Sequence, residues 1–225
     1  MRLSRTIPAA LTALAVSTAL APTAAAADHP AAPGDTVTLP LRKAIAALET
    51  RAERRTGYER AKFKHWIDED RDGCNTRNEV LLSEAITAPD KSAGCKLTGG
   101  TWRSAYDDTT INGPSGLDID HFVPLAEAWD SGAYEWSAKD RERYANDLAD
   151  DRSLIAVSAK TNRSKADQDP ASWMPPAHSY RCTYVTTWTT VKTRWGLSID
   201  TSEKAALERV AAECPNVPIK VELAR

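Results

Sequence analysis

Two short segments hold residues whose types and spacing could do chemistry. In LDIDHFVPL, residues 117–125, Asp120 and His121 are adjacent. An imidazole titrates closest to neutrality and can accept a proton from water, and a carboxylate beside it can hold a cation. Side chains alternate faces along a strand, so these neighbours can serve one site only where the strand ends, and Pro124 supplies the ending. Taken alone, an Asp-His pair reads more readily as a structural pair at a strand end. The second segment is SLIAVSAKTNRSKAD, residues 153–167. Here an apolar strand feeds a helix carrying Asn162 and Lys165, three apart and therefore on one face. Oxygen ligands from Asp120 and Asn162 suit a hard cation, Mg²⁺ or Mn²⁺, with Zn²⁺ as a further candidate, while Arg163 and Lys165 suit phosphate oxygens. By itself the NRSK fragment reads as a solvated helix turn.

Asp68, Asp70, Asp72, Gly73 and Glu79 carry the spacing of a Ca²⁺-binding loop, with acids at positions 1, 3, 5 and 12 and glycine at 6. Against it, Asn75 stands where such loops have an apolar residue, and Cys74 is a candidate for a disulfide. The other histidines read as bystanders: His29 lies in the flexible lead, His65 beside aromatic residues, and His178 in a proline-rich loop. Trp188 and Trp195 share one helical stripe, and Trp129, Trp136 and Trp173 punctuate the motifs. That periodicity favours core packing over base stacking.

These residues must be positioned by a chain of short elements. Leu41, Ile45 and Leu48 recur at helical spacing in a helix that fades by Thr56-Gly57, and TRNEVLLSEAIT, residues 76–87, is a second helix stopped by Pro89. Residues 95–98, 101–106 and 117–121, separated by Gly-Gly, Asp-Asp and Asn-Gly-Pro turn signals, read as a small antiparallel sheet. Helices over 125–130 and 138–148 follow, then a strand at 154–157, a helix at 159–166, and two tail helices over 180–195 and 201–212.

Arg2 and Arg5, the apolar run from Ile7 to Ala21 and Ala25-Ala26-Ala27 read as a cleaved export signal over residues 1–27, followed by a flexible lead over 28–36. The remainder, 37–225, is expected to be one domain with no membrane association, acting as a monomer. Without residues 1–27 the chain keeps 27 Lys and Arg against 31 Asp and Glu, a net charge of about −4. That balance excludes a bulk-basic nucleic-acid coat but leaves room for a local basic patch. Cys74, Cys95, Cys182 and Cys214 make an even set suited to two disulfides in an oxidising compartment, and pairing neighbours closes the shorter loops among three possible arrangements. No CxxC spacing supports a four-cysteine zinc site.

Taken together, the two segments resemble the HNH, or ββα-metal, nucleases. The closer resemblance is to secreted relatives of the GmrSD-type restriction endonuclease C-terminal domain. It runs through DGCNTR, LDIDHFVPLAEAWDSGA, RYANDL and NRSKADQDPASWMPP, covering roughly residues 60–214. The resemblance implies an α+β fold with a central ββα-metal unit surrounded by helices. It also implies Asp120 and Asn162 as metal ligands, His121 as general base, and Arg77 as a cleft residue. Where many HNH enzymes carry a middle Asn that orients the base, this chain has Ser153, so either a backbone carbonyl or Asn146 must take that role. The expected function is secreted, metal-dependent hydrolysis of phosphodiester bonds in DNA, with RNA as a second substrate class. The rival reading is a calcium-dependent binding protein on an HNH-like scaffold without catalysis.

Overall fold

The computed structural model describes residues 31–225, which form one compact unit. The expected signal segment lies outside the described residues. The lead is pinned in its described part: Gly34 N–H donates to the Leu223 carbonyl (2.8 Å) and Leu223 N–H to that of Asp35 (2.9 Å). Directly after it, β1 (Thr36–Pro40) pairs antiparallel with β8 (Pro218–Glu222), so the C-terminal tail gives the N-terminal segment its ladder. Both strands alternate apolar and polar residues. Leu39, Ile219 and Val221 turn to the core while Thr36, Thr38 and Lys220 turn out.

The first helix, α1 (Leu41–Ala47), stops a turn or more earlier than its periodicity predicts. The following segment is extended because its backbone is bonded elsewhere, Arg51 N–H to the Ile199 carbonyl and Arg54 N–H to that of Asp130. Next, α2 (Thr76–Ser83) is capped by the Asn75 side chain on Asn78 N–H. The three segments expected to form one sheet belong instead to separate two-stranded ribbons. These are β2 (Asp90–Ser92) with β3 (Lys96–Thr98), β4 (Thr101–Ser104) with β5 (Thr109–Asn112), and β6 (Leu117–His121) with β7 (Leu154–Ser158). The sequence shows strands but not their partners, and β6 finds its partner some thirty residues downstream.

Between β6 and β7 lie α3 (Leu125–Asp130) and α4 (Ala138–Ala145), and α5 (Ala159–Lys165) follows β7 directly with Ser158 as its N-cap. Two long helices complete the fold. The first, α6 (Arg181–Trp195), ends at Gly196, whose left-handed φ of 62° closes the helix as only glycine does cheaply. The second is α7 (Thr201–Glu213).

Two apolar clusters flank the β6–β7 ribbon. The larger gathers α1, α3, α4, α6 and α7 around Trp129, Trp136, Trp188 and Trp195. The smaller packs Val80, Leu81, Trp102, Leu117, Ile119 and Leu154 around a disulfide. That bridge is Cys74–Cys95, and the second is Cys182–Cys214, so neighbours pair. Closing loops of 21 and 32 residues, each stabilises the fold by about 3–4 kcal/mol through the unfolded chain. Among the described residues no helix is long and apolar enough to cross a membrane.

Candidate active site

The strand β6 ends at His121, and the chain turns there because Phe122 N–H donates to the Ser153 carbonyl (3.0 Å) before Pro124 opens α3. Asp118 and Asp120, two apart, face α5. Lys165 Nζ donates to Asp120 Oδ2 (2.7 Å) and to the His121 carbonyl (3.2 Å), while Asn162 Nδ2 reaches Asp118 Oδ2 (3.3 Å). At this strand end, Asp120, His121 and Asn162 line one cavity of about 260 Å³, together with Arg60, Arg163 and Asp167.

The imidazole of His121 is buried and held on three sides. Its ring stacks on Trp66 (5.4 Å between centroids, 28°) and on Tyr144 (6.5 Å, 17°). His121 Nε2 lies 2.9 Å from the Ala145 carbonyl oxygen. A carbonyl can only accept, so Nε2 carries the hydrogen and Nδ1 keeps its lone pair. Burial, reinforced by Arg60, His65 and Lys165 and opposed by the Ala145 carbonyl, pushes the imidazole down to about 3, so the ring is neutral at physiological pH. Trp66 holds its place with a left-handed φ of 60°, a conformation that costs energy for a bulky residue and clusters where geometry is functionally constrained.

Asp120 accepts two hydrogen bonds on one oxygen, from Lys165 and from the buried Tyr106 hydroxyl (2.7 Å). Burial raises Asp120 and lowers Lys165, against the attraction between them. Asp120 Oδ1 and the Asn162 side-chain oxygen accept no hydrogen bond from the described residues. This leaves two hard oxygen acceptors on residues that line one cavity with His121, and oxygen donors of this kind suit a divalent cation such as Mg²⁺ or Mn²⁺.

The other expected site residues lie at different distances from this centre. Arg163 is exposed along the cavity rim with Nε 3.5 Å from Asp118. Lys165, expected to meet phosphate, is completely buried as the counter-ion of Asp120, since its helix face turns inward onto β6. Arg77 donates to the Leu117 carbonyl (3.2 Å) at the far end of β6, outside the cavity. The Ser153 hydroxyl donates to Asp147 (2.7 Å), which also takes Arg194 and Trp195, so that side chain faces α6 and not the imidazole.

Asn146 spends all its hydrogen-bonding capacity elsewhere. Its oxygen accepts from Ile67 N–H (3.1 Å) and the Thr76 hydroxyl (2.8 Å), and its amide donates to the Lys64 (2.8 Å) and Glu142 (2.7 Å) carbonyls. It therefore ties the Trp66 loop to the end of α4, whose Ala145 carbonyl meets His121. Of the two options for orienting the imidazole, the geometry contains the backbone carbonyl. Tyr106, Asp118, Arg60, Trp66 and Tyr144 belong to the site without having been expected there. Asp118 stands two residues before Asp120 on β6, and the other four arrive from separate elements that no local pattern flags.

In the acidic loop, the Asp68, Asp70 and Asp72 carboxylates lie within 4.8 Å of one another, and Glu79 groups with Asp72 and Cys74. Burial together with Asp72 and Asp70 raises Glu79.

A strand that ends in an Asp-His pair, a returning antiparallel strand and a helix that carries an Asn onto the same cavity form a unit of the ββα, or HNH, fold class. The chain belongs to the family of GmrSD restriction endonucleases, C-terminal domain, which matches residues 61–210 and is of the HNH endonuclease type. It is 40% identical over 204 residues to an uncharacterized secreted protein of Arthroderma benhamiae (strain ATCC MYA-4681 / CBS 112371), a match covering 90% of this chain and 98% of that protein. No solved structure matches it.

Proposed function

We propose that the protein is a secreted, monomeric endonuclease that hydrolyses phosphodiester bonds of DNA, and of RNA as a second substrate class, with a divalent cation at Asp120 and Asn162. One observation carries the reading: the imidazole of His121, fixed as its Nε2–H tautomer by a carbonyl, shares a cavity with two unpartnered oxygen donors. Membership of a nuclease-type family supports the substrate class, and the secreted relative and two disulfides support export.

In this mechanism His121 Nδ1 takes a proton from water as its oxygen bonds to phosphorus in line, and the bond from phosphorus to the 3′ oxygen breaks. The bound cation would supply charge stabilisation for the crowded phosphate and the departing oxygen. Ala145 holds the imidazole, Lys165 and Tyr106 hold Asp120 Oδ2 and leave Oδ1 for the cation, and Arg163 guides the strand at the rim. Asn146 and Ser153 act at one remove, through the α4 terminus and the turn at Phe122. The test is plasmid cleavage in Mg²⁺, in Mn²⁺ and in chelator. Wild type should nick DNA only with metal, and His121→Ala should fall by about 10²-fold or more while melting normally. Equal cleavage by His121→Ala removes the imidazole from the reaction, and intact DNA under every condition favours the non-catalytic binding reading.

A structural Ca²⁺ at Asp68, Asp70, Asp72 and Glu79 is the accessory site consistent with the loop spacing and the convergence of its carboxylates. Saturating Ca²⁺ should raise the melting temperature, and Asp70→Asn should abolish the rise. An unchanged wild-type melt rules the site out.

A further inference from the structure

The cavity at the end of β6 is bordered by several cations, most of which already have a carboxylate. Lys165 is spent on Asp120, Arg163 leans on Asp118, and Arg55 is paired with Asp130 and lies 3.9 Å from Asp167. Arg60 differs. It lines the same cavity as Asp120, His121 and Asn162, it is exposed, and among the described residues it forms no ion pair. Its neighbour is the neutral Tyr58 phenol.

The backbone beneath it is fixed. Arg60 begins a single tight turn closed by Lys62 N–H on the Glu59 carbonyl (2.9 Å) and Phe63 N–H on that of Arg60 (3.0 Å). Phe63 is fully buried in the larger core, and Arg141 Nε bonds the Lys62 carbonyl (3.3 Å). A guanidinium fork therefore stands on an anchored turn at the mouth of the site, beside the Tyr58 hydroxyl and with no carboxylate partner among the described residues. That is the form a phosphate ligand takes, because guanidinium donors pair bidentately with phosphate oxygens and keep their charge at any working pH.

We propose that Arg60 is the arm that binds the scissile phosphate, engaging its non-bridging oxygens from the cavity that it shares with Asp120, His121 and Asn162. The assignment rests on the nuclease reading for the identity of that phosphate. It contrasts with Lys165, which the helix carries inward, and with Arg163, which shares its charge with Asp118.

The experiment uses the full-length exported protein and three variants. Arg60→Ala removes the fork, Arg60→Lys keeps the charge without it, and Arg103→Ala removes an exposed arginine already paired with Asp108. The first readout is anisotropy of a labelled DNA duplex in chelator across a NaCl series. Arg60→Ala should weaken binding about 10-fold and reduce the log–log salt slope by about one, while Arg60→Lys retains the slope. The second readout is kcat/KM with Mn²⁺ or Mg²⁺. It should fall about 10- to 100-fold for Arg60→Ala, recover in part for Arg60→Lys, and stay at wild-type level for Arg103→Ala. Wild-type salt slope and kcat/KM in Arg60→Ala overturn the proposal and leave the nuclease reading standing. A wild-type protein that cleaves nothing, combined with a slope reduced by one in Arg60→Ala, sinks the nuclease reading and keeps Arg60 as a phosphate ligand. Should Arg60→Ala melt below wild type, the Lys variant decides: full kcat/KM there, with its fork gone, overturns bidentate engagement.

Discussion

Lys192 in α6 is the fully buried hub of a polar knot that docks the tail helices onto α3. Its ammonium donates to Glu127 (2.6 Å), Glu203 (3.1 Å), the Ser131 hydroxyl (2.7 Å) and the Ser198 carbonyl (2.8 Å). Burial pulls Lys192 down, but Glu127 and Glu203 outweigh it and the ammonium is held above its ordinary value. Burial pushes the Glu203 carboxyl from 4.5 up to about 7 even with Lys192 beside it. Lys192→Met keeps the volume and removes the charge, so two buried carboxyls lose their only ammonium. Leaving buried carboxyls without their ammonium costs about 3 kcal/mol, the lower end for breaking a buried pair. The bonds lost at Ser131 and Ser198 add about 1–2 kcal/mol. The sum of about 4–5 kcal/mol corresponds to roughly 10–20 °C in melting temperature. A folded-state carboxyl titrating above its unfolded value favours folding at low pH and loses that contribution as pH rises. The deficit of the variant should therefore shrink to about 1–2 kcal/mol near pH 4.5. Urea unfolding followed by tryptophan fluorescence at the two pH values measures both numbers. An equal deficit at pH 7 and 4.5 would refute the electrostatic account and reduce the knot to packing.

Two further predictions concern the surroundings of the site. Glu84, raised by burial from 4.5 to about 7 against the Ala156 N–H that it accepts (2.9 Å), should make wild-type stability decline as pH climbs through that window. Glu84→Gln keeps the acceptor and should gain about 1–3 kcal/mol over wild type at pH 8 but nothing near pH 4, by denaturant melts; a pH-independent difference contradicts the assignment. Asn146→Leu breaks four hydrogen bonds and should cost about 2–4 kcal/mol in urea melts. It should also lower kcat about 10-fold at a temperature where the variant is folded, because Ala145 and Trp66 both depend on it; unchanged kcat would show that the imidazole is held without it.

The ββα unit was legible because its signals are local. Pro124 marks the end of a strand, Ser158 caps the helix after the next one, and the Asp-His pair and the Asn sit at spacings that a single segment displays. The tryptophan stripe of α6 was legible for the same reason, and the even cysteine set gave two disulfides while leaving their partners among three arrangements. What escaped was relation rather than element. Lys165 shares a helix face with Asn162, yet periodicity cannot say whether that face turns to solvent or to Asp120. The 95–106 strands carry the right turn signals, but pairing depends on chain reversals that their own residues do not encode. Tyr106, Arg60 and Trp66 enter the site from three separate elements, and Trp66 does so in a backbone conformation that its residue type disfavours. The N-terminal strand was hidden because its ladder is completed by the last residues of the chain.

A peptide oxygen differs from an amide side chain in one respect that matters over long times: no codon change deletes it. Because the imidazole leans on the main chain at Ala145, position 153 is released from the duty of steering it and is free to hold a serine that serves α6 instead. The cost of that freedom is moved elsewhere, onto whatever keeps the last turn of α4 in place. Displacement of the imidazole is then expected from substitutions that shift a helix end as well as from those that touch the ring.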